Sequence, residues 1–477
     1  MFSTPKQEEE YSELKGLDPS FFKLNRTNYI NNLKIRNPHL NINSVIVLQG
    51  GNLIPKYDGD TSYYYFDQES NFYYLTGVRE PNMKCIIDIR SNDCVLFYQK
   101  EEDDMKIWMK VPSYEDIEKK YAIKTLPMEN LNSFLQDRNM EVIYLLSGVN
   151  ENSNLPCLTA ELNFKGDYEY LQKKISHDKY TYMVLCDTRR VKNEKEKELL
   201  KYIGKISNLA HIELIKKIKP GMNERDMENI FLQYMRDNYY CRFFAYNCIC
   251  ATGKNSATLH YDVNNKKMED GDLFLTDMGI RFCGYVSDIT ITIPVNGKFT
   301  DKQKEIYNIV LKSNRETIKS IKPGITRYKD MDKLSKIIIL EGLQEINILK
   351  KDFTAEEMYN NRLWYYFMPH SLGHLVGLDV HDVGLRSVSY KSLQIIDNGT
   401  FITVEPGIYF VDFLMDEVIN TPNLCKYVNV DKLEEYRGFG GVRIEDDVMV
   451  HENSVESYQE DLPREVEEIE KIMKGEN

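Results

Sequence analysis

Five side chains in the second half of the sequence belong to the types that hold hard metal ions. One is an imidazole and four are carboxylates, and each lies beside glycines or strand-forming residues: Asp277, Asp288, His374, Glu405 and Glu445. A set this rich in oxygen ligands can hold two divalent cations close together. Because two cations that share a hydroxide hydrolyse amides at neutral pH, the set predicts metal-dependent hydrolysis.

The two aspartates lie in a pattern that predicts a β-hairpin. The segment between Asp277 and Asp288 contains two glycines, and a run of β-branched residues follows it. If the turn is centred on Phe282 and Cys283, the carboxylates face each other with Cβ atoms about 4.5–5.5 Å apart. Carboxylates this close repel each other unless a cation or a proton intervenes. A metal-binding pair is one interpretation of this hairpin, and an exposed turn is the other.

Three histidines cluster in the segment FMPHSLGHLVGLDVHDVG, namely His370, His374 and His381. The proline and glycines of this segment argue against a helix and favour an irregular backbone that brings an imidazole up to a ligand. Four of the eight histidines of the chain fall between residues 260 and 381. This clustering favours a functional role for the group, but it does not say which histidine binds metal.

The two glutamates each lie at the end of an apolar β-strand pattern or within one. Glutamate is rarely buried without a partner, so Glu405 and Glu445 both require a cation nearby. Arg443 is two residues before Glu445, and on a strand these two side chains point the same way. Arg443 therefore either neutralises Glu445 or orients it as a metal ligand.

The elements that must position these residues fall into two regions, which predicts an α/β (α+β) chain. Residues 1–185 form one predicted domain, with a helix over Lys15–Leu33, and residues 186–477 form the other. In the second domain a long charged helix is predicted from Asn193 to about Ile218. Predicted strands of the first domain are Ser44–Leu48, Phe72–Thr76, Cys85–Ile89, Cys94–Tyr98, Val142–Leu146 and Tyr182–Cys186.

The second domain contains two similar short segments. Ile215–Met222 reads IKKIKPGM, and Ile318–Ile325, about 103 residues further on, reads IKSIKPGI. A helix pattern precedes and follows each of them. Two similar helix ends would explain the likeness, because proline and glycine commonly end helices. A duplicated half-domain is the alternative, and it would place the two aspartates in one half and the two glutamates in the other.

Composition and charge exclude several classes of protein. The chain of 477 residues is 42% hydrophobic and 28% charged, which is typical of globular proteins. Its net charge of −13 leaves no basic surplus to neutralise phosphates, so we expect no nucleic-acid partner. No apolar stretch reaches about 18 residues, so we expect no membrane span.

The cysteines and the first residues indicate the compartment. Nine cysteines, odd in number and without a CxxC pair, suit a reducing environment. The acidic N-terminal segment lacks the basic start and apolar core of a signal peptide. We therefore expect a cytoplasmic protein.

Segments along nearly the whole chain match a known family. On these segments the chain resembles the prolidase family of metallopeptidases, whose pita-bread fold also occurs in aminopeptidase P and methionine aminopeptidase. The resemblance implies a smaller N-terminal α/β domain and a C-terminal pita-bread domain with a pseudo-twofold internal repeat. The matching segments are Val47–Gly51, Asp67–Ser70, Cys248–Cys250, Asn255–Ala257, Pro294–Thr300 and Tyr436–Glu445.

The resemblance also implies a role for each of the five candidate ligands. Asp277 would bind one metal, His374 and Glu405 the other, and Asp288 and Glu445 would bridge both. The usual ion of the family is Mn²⁺, which is consistent with oxygen-rich ligation. A hydroxide shared by the two ions would attack the scissile carbonyl, and Glu405 would carry a proton from water to the leaving prolyl nitrogen.

Further residues resemble substrate contacts of the family. His260 and His381 resemble the histidines that stabilise the tetrahedral intermediate and contact the substrate. His370 resembles a neighbouring pocket residue, and Arg443 is expected beside the substrate as well. Trp108 resembles a tryptophan that reaches the site of the partner subunit, which implies a functional homodimer.

Three departures from the family concern substrate binding. Ser371 replaces a usual glycine, and the loop after His260 is shortened. The segment after His381 is also shorter than in the animal enzymes. The residue that grips the free carboxylate of the dipeptide is therefore not fixed, and Arg386 and Lys391 are both candidates.

The resemblance implies a dipeptidase with two metal ions that hydrolyses Xaa-Pro dipeptides and recycles proline. One alternative is an aminopeptidase P that acts on longer peptides, and comparing Gly-Pro with Gly-Pro-Xaa would separate these two. A non-enzymatic alternative is an inactive pita-bread scaffold that only binds partners. Inactive relatives typically lose ligands, whereas all five ligand positions are present here.

Overall fold

The computed structural model describes residues 17–59, 63–384 and 395–475. Contacts divide the described residues into an amino-terminal unit, which ends at Arg190 and also includes Val383 and Gly384, and a carboxyl-terminal unit, residues 191–382 and 395–475. The domain boundary after residue 185 stays a prediction. Expressing residues 186–477 alone and measuring whether they fold would test it.

A mixed six-stranded sheet forms the centre of the amino-terminal unit, in the order β4-β3-β2-β1-β5-β6. β2 pairs antiparallel with β1 and β3, and the other three neighbouring pairs are parallel. This mixture of helices and strands confirms the α/β class expected here. The strands are β1 (Ser44–Gln49), β2 (Met83–Asp88), β3 (Cys94–Tyr98), β4 (Lys124–Pro127), β5 (Val142–Leu145) and β6 (Ile175–Ser176).

In the described residues five α-helices accompany this sheet, and two of them occupy segments that the sequence predicted as strands. Both segments are apolar runs that are buried almost throughout, and such runs do not show whether the period is that of a helix or a strand. The prediction was wrong for Phe72–Thr76 and for Tyr182–Cys186. The helices are α1 (Pro19–Arg36), α2 (Ser70–Thr76), α3 (Tyr114–Tyr121), α4 (Leu131–Asp137) and α5 (Lys179–Arg190).

Capping hydrogen bonds explain where helices α2 and α1 begin. The Glu69 carboxylate accepts the Phe72 N–H at the start of α2, and Gly77, at φ 74°, ends it. In α1 the Asp18 carboxylate accepts the Ser20 N–H and Pro19 fills the first helical position. The helix therefore starts at Pro19 rather than at Lys15.

Two cysteines on neighbouring strands test the register of this sheet. Cys85 on β2 and Cys94 on β3 have their Sγ atoms 3.1 Å apart. We expect hydrogen peroxide to join them, because two thiols and one peroxide give a disulfide and two waters. Peptide mass spectrometry should find the 85–94 cross-link in the wild type and none in Cys94→Ser. Cys157→Ser is the control, and cross-linking of Cys85 to another cysteine instead would contradict this register.

Helices of the carboxyl-terminal unit fall into two long pairs followed by shorter segments. The long pairs are α6 with α7 and α8 with α9, and the capping residue of α6 is Asn193, as the sequence predicted. The helices are α6 (Glu194–Lys217), α7 (Glu224–Tyr239), α8 (Asp301–Ser320), α9 (Tyr328–Glu345), α10 (Ala355–Asn360), α11 (Asp412–Asn420), α12 (Pro422–Cys425), α13 (Val430–Glu434) and α14 (Val466–Met473).

Antiparallel sheets follow each pair of long helices. In the described residues their orders are β12-β9-β8 and β11-β10-β7 in the first half, and β13-β16-β17 and β14-β15 in the second. The strands are β7 (Phe243–Phe244), β8 (Ile249–Thr252), β9 (Leu273–Asp277), β10 (Ile280–Phe282), β11 (Tyr285–Val286), β12 (Thr290–Pro294), β13 (Phe401–Val404), β14 (Gly407–Tyr409), β15 (Gly441–Arg443), β16 (Asp446–Val450) and β17 (Val455–Ser457).

The two halves repeat the same backbone contacts, which confirms the internal repeat. Gly221 and Gly324 both have positive φ, at 93° and 72°. The Gly221 N–H donates to the Met268 carbonyl, and the Gly324 N–H donates to the Ile396 carbonyl. The residues that cap α7 and α9 also form matching isolated bridges, Asn223 with Lys267 and Arg327 with Ile395.

Among the described residues, no helix combines the length and the apolar character that crossing a membrane requires.

Candidate metal centre

The first pair of candidate ligands is carried by the hairpin that runs from β9 to β12. Asp277 lies opposite Thr290 in the ladder, not opposite Asp288. The chain reverses at Cys283 and Gly284, which have φ of 49° and 84°. The turn predicted one residue earlier was therefore wrong.

The geometry of a two-residue hairpin explains this correction. Such turns require positive φ at both central positions, and glycine tolerates this best. The predicted turn would have placed Phe282, a bulky aromatic residue, in that conformation. In the structure Phe282 pairs with Tyr285 as the last residue of its strand.

A tyrosine brings the two aspartates together despite this register. The Tyr246 hydroxyl oxygen lies 2.6 Å from Oδ1 of Asp277 and 2.6 Å from Oδ1 of Asp288. Burial raises the pKa of Tyr246 well above its ordinary value, and the charges of Asp277, Asp288 and Glu445 raise it further. Tyr246 is therefore a neutral hydroxyl that a carboxylate on either side can engage.

The imidazole of His374 lies between carboxylates from both halves of the unit. Its Nε2 is 3.4 Å from Oδ2 of Asp288 and 3.5 Å from Oε1 of Glu405, while Nδ1 is 3.1 Å from the Leu375 carbonyl. Burial lowers the pKa of His374, but the hydrogen bond with Asp288 and the charge of Glu405 outweigh it and raise the value to about 9.

Glu445 completes a set of atoms compact enough to hold an ion. One ligand atom each from Asp288, His374 and Glu445 lie within 4.8 Å of one another. The Thr290 hydroxyl donates to Oε2 of Glu445 at 2.7 Å and so fixes the orientation of this carboxylate. Asp288 and Glu445 are 4% and 1% exposed, so water does little to stabilise their charges.

Electrostatics show that this donor set fits a divalent cation. Burial raises the pKa of Asp288, raises that of Glu405 to about 7 and raises that of Glu445 well above its ordinary value, and repulsion among the carboxylates adds to each shift. A bound cation opposes these shifts, because it favours the ionised form of every ligand. Buried oxygen ligands with one imidazole are a set that suits a hard divalent metal.

Arg443 pairs with an aspartate rather than with Glu445. Its Nη2 is 2.7 Å from Oδ2 of Asp277, and its Nε donates to the Thr290 hydroxyl at 3.1 Å. Thr290 donates in turn to Glu445, so its hydroxyl links Arg443 to that glutamate. The charge of Arg443 also acts on Glu445 directly and partly opposes the rise that burial causes in the pKa of this carboxyl. Its Nη1 also donates to the Tyr409 hydroxyl at 3.0 Å.

The structure brings the remaining histidines close to this cluster. The rings of His381 and His374 have centroids 4.2 Å apart, and Nδ1 of His370 is 4.0 Å from Oε2 of Glu405. Burial lowers the pKa of His370 to about 3 and that of His381 to about 4, and repulsion from His260 contributes to both shifts. His260 itself is exposed.

Three predicted substrate residues are not part of this geometry. Arg386 and Lys391 lie outside the residues that the structure describes. Trp108 belongs to the amino-terminal unit, where its side chain is 80% exposed.

Two buried contacts of charged side chains near the cluster, one an ion pair and one a set of hydrogen bonds, had no counterpart in the sequence-based prediction. Lys192 Nζ and Asp382 Oδ2 are 2.9 Å apart, and their side chains are 1% and 2% exposed. Asp382 directly follows His381, so this ion pair anchors the backbone beside that histidine. The second contact is Glu224, whose carboxylate accepts the Thr252 and Lys266 N–H groups at 2.8 Å each and so ties together the two ends of the loop that carries His260.

The Tyr246 hydroxyl gives a testable prediction about metal affinity. Tyr246→Phe should weaken Mn²⁺ binding by roughly 10- to 100-fold, because both aspartates lose the group that orients them. Mn²⁺ titration against a competing chelator measures the change. Tyr234→Phe, on α7, is the matched control and should leave affinity unaltered. Equal affinities in wild type and Tyr246→Phe would contradict an orienting role.

Two family models match this chain, one in each unit. The model described as "Metallopeptidase family M24" matches residues 198–452, and the "Aminopeptidase P, N-terminal domain" matches residues 22–144. The first match includes all five candidate ligands.

Curated and solved relatives are similar over most of the chain. Human "Xaa-Pro dipeptidase" is 37% identical over 96% of this chain and 94% of its own length, and the rat protein of the same name is 38% identical over the same shares. The zinc-substituted Escherichia coli aminopeptidase P in complex with product has a TM-score of 0.78 at 27% identity, over 96% of this chain and 99% of that one. This likeness confirms the pita-bread architecture. With a metal-ligand cluster inside a family match that spans more than half of its length, the chain belongs to metallopeptidase family M24.

Proposed function

We propose that this protein hydrolyses Xaa-Pro dipeptides with the help of two divalent metal ions, most suitably Mn²⁺. The observation that carries the proposal is the convergence of Asp288, His374 and Glu445 within 4.8 Å, with Asp277 and Glu405 beside them. The human and rat relatives that carry the name Xaa-Pro dipeptidase support the substrate class.

The five clustered side chains would hold the ions. Asp277 would bind one of them, His374 and Glu405 the other, and Asp288 and Glu445 would be shared. When bound, such cations lower the pKa of water and polarise the scissile carbonyl. Arg443 holds Asp277 through a salt bridge, and the Thr290 hydroxyl orients an oxygen of Glu445.

The residues around the cluster would handle protons and substrate. Glu405 is the proposed proton carrier, because it lies beside both His374 and His370 and a carboxylate there can pass a proton to the leaving nitrogen. His260 and His381 would stabilise the tetrahedral intermediate. The proposed substrate contacts are His370, His381, Arg443, Arg386 and Trp108, and Lys391 is the other candidate for binding the free carboxylate.

The experiment compares Gly-Pro with Gly-Pro-Xaa hydrolysis by protein reconstituted with Mn²⁺. We expect Gly-Pro to be cleaved with the higher kcat/KM. The Xaa-Pro amide is tertiary and lacks an N–H, so Gly-Ala is an informative control for specificity. Absence of Gly-Pro cleavage by protein that has bound metal would refute the proposal.

A second candidate is an Xaa-Pro aminopeptidase that acts on longer peptides. The likeness to Escherichia coli aminopeptidase P and to the Sordaria macrospora "Probable Xaa-Pro aminopeptidase", 32% identical over 86% of this chain, favours it. A higher kcat/KM for Gly-Pro-Xaa would select it. An inactive binding scaffold would bind well under one metal ion per chain, which elemental analysis measures.

Assembly and location complete the proposal. We propose a homodimer in which Trp108, exposed within its own unit, contacts the partner. Light scattering of wild type and Trp108→Ala tests this, and a monomeric wild type would exclude it. The nine cysteines, none of them in a disulfide, support a reducing, cytoplasmic location, which imaging of the tagged protein would check.

A further inference from the structure

One face of the sheet in the amino-terminal unit changes from apolar to polar side chains towards one end. Val47, Ile86 and Val95 form a buried row across β1, β2 and β3 and belong to the apolar core of this unit. Two residues further along the same face, Gln49 lies opposite Lys84. Because side chains two apart on a strand share a face, a carboxamide and an ammonium group occupy positions that continue the core.

A cavity of about 400 Å³ opens where these polar residues begin. Two residues before Lys84 in the sequence is Asn82. Its carbonyl accepts the N–H of Gln99, the residue that follows β3. The lining includes one ammonium, one carboxylate and four carboxamides, contributed by Lys84, Glu161, Gln49, Asn52, Asn82 and Gln99.

Lys84 is the residue that indicates a ligand in this cavity. Burial lowers its pKa, and the charge of Glu161 only partly opposes this effect. Within the described residues no carboxylate oxygen lies within 4.0 Å of Lys84 Nζ, so its charge has no direct ion-pair partner in this unit. A partly buried ammonium of this kind gains stability from an incoming carboxylate.

The charges of the lining select the class of ligand. One positive and one negative side chain make the cavity neutral, which disfavours polyphosphates and bare metal ions. Carboxamides both donate and accept hydrogen bonds, and Met128 and Leu158 add apolar surface. Ligand sites combine apolar walls with a few convergent polar groups in this way.

We infer that the cavity binds a small zwitterion of the size of an amino acid or a dipeptide. Its carboxylate would pair with Lys84, and its ammonium group would face Glu161. Met128 and Leu158 would contact an aliphatic side chain. This site lies wholly within the amino-terminal unit and does not depend on the proposed hydrolysis.

Titration calorimetry of the metal-loaded full chain tests the inference, with L-leucine, L-proline and glycyl-leucine as probes. At least one probe should bind to a site that Lys84→Met weakens by at least about tenfold, the effect of losing one charge-assisted contact. Lys124→Met removes an exposed lysine from β4 of the same sheet and should change nothing. For that probe, the N-acetyl and carboxamide derivatives should each bind at least about tenfold more weakly.

Gly-Pro hydrolysis provides the readout that separates this site from the metal centre. Lys84→Met should keep the kcat and KM of the wild type while it loses probe binding. The inference is overturned if no probe binds wild type, if Lys84→Met binds as tightly as wild type, or if Lys124→Met loses binding equally. If probe binding depends on Lys84 but the wild type does not cleave Gly-Pro, only the proposed function is refuted.

Discussion

Glu445→Gln should lower kcat/KM for Gly-Pro by at least about 100-fold, since loss of a ligand exceeds the 10- to 100-fold effect of losing a group behind one. The amide keeps the shape of the carboxylate but removes the charge that a cation requires. Glu445 is 1% exposed and accepts the Thr290 hydroxyl, so its carboxylate is held in place and water does little to replace its charge. Activity after Mn²⁺ reconstitution and metal content by elemental analysis are the two measurements.

A nearby glutamate provides the matched control. Glu452→Gln removes an exposed carboxylate just after β16, seven residues further along the chain, and should leave both measurements at the wild-type level. If Glu445→Gln retained wild-type activity and metal content, Glu445 would not be a ligand. Loss of activity with full metal content would instead assign Glu445 to proton transfer or substrate binding.

Lys192→Met should destabilise the fold by about 3–5 kcal/mol, the usual cost of removing one partner of a buried ion pair. Both side chains are at most 2% exposed, so the variant would remove the ammonium group that pairs with the buried carboxylate of Asp382. Chemical denaturation followed by circular dichroism of the metal-loaded protein measures the free energy of unfolding.

Two further variants isolate the ion pair. Lys216→Met, at an exposed position near the end of α6, is the matched control and should change stability by less than about 0.5 kcal/mol. Lys192→Met combined with Asp382→Asn should recover part of the loss, because the buried negative charge of Asp382 is also removed. If the double variant loses more free energy of unfolding than the two single variants lose in sum, the ion pair does not stabilise the fold through charge.

The residues of the candidate metal centre could be singled out from the sequence because each lies in a short segment with its own signal. His374 stands near a proline and two glycines, and Glu405 and Glu445 follow apolar strand patterns. These local signals survive any uncertainty about long-range pairing. The internal repeat was also visible, since its Lys-Pro-Gly segments are sequence features as well as backbone features.

The exact pairing of the hairpin could not be predicted from the pattern. Moving the turn by one residue shifts the register by two, and a shift of two leaves every side chain on the same face. The alternation of apolar and polar residues therefore fits both registers equally. Only the demand for positive φ at Cys283 and Gly284 distinguishes them.

Other features depended on contacts between distant parts of the chain. Tyr246 is one of 33 tyrosines, and only folding places its hydroxyl between the two aspartates. Lys192 and Asp382 are 190 residues apart in sequence, so neither suggested the other. Helix α2 was missed because a run buried on all sides carries no periodicity.

The tight reversal at Cys283 and Gly284 has a consequence for how this gene can change over generations. An insertion of a single codon that leaves the two-residue turn in place would shift the following arm by one residue, so that Asp288 would face the opposite side of the sheet. Most surface connections of a protein tolerate such length changes. We therefore expect descendants of this chain to vary in length elsewhere, while the spacing of eleven positions from Asp277 to Asp288 is inherited without change.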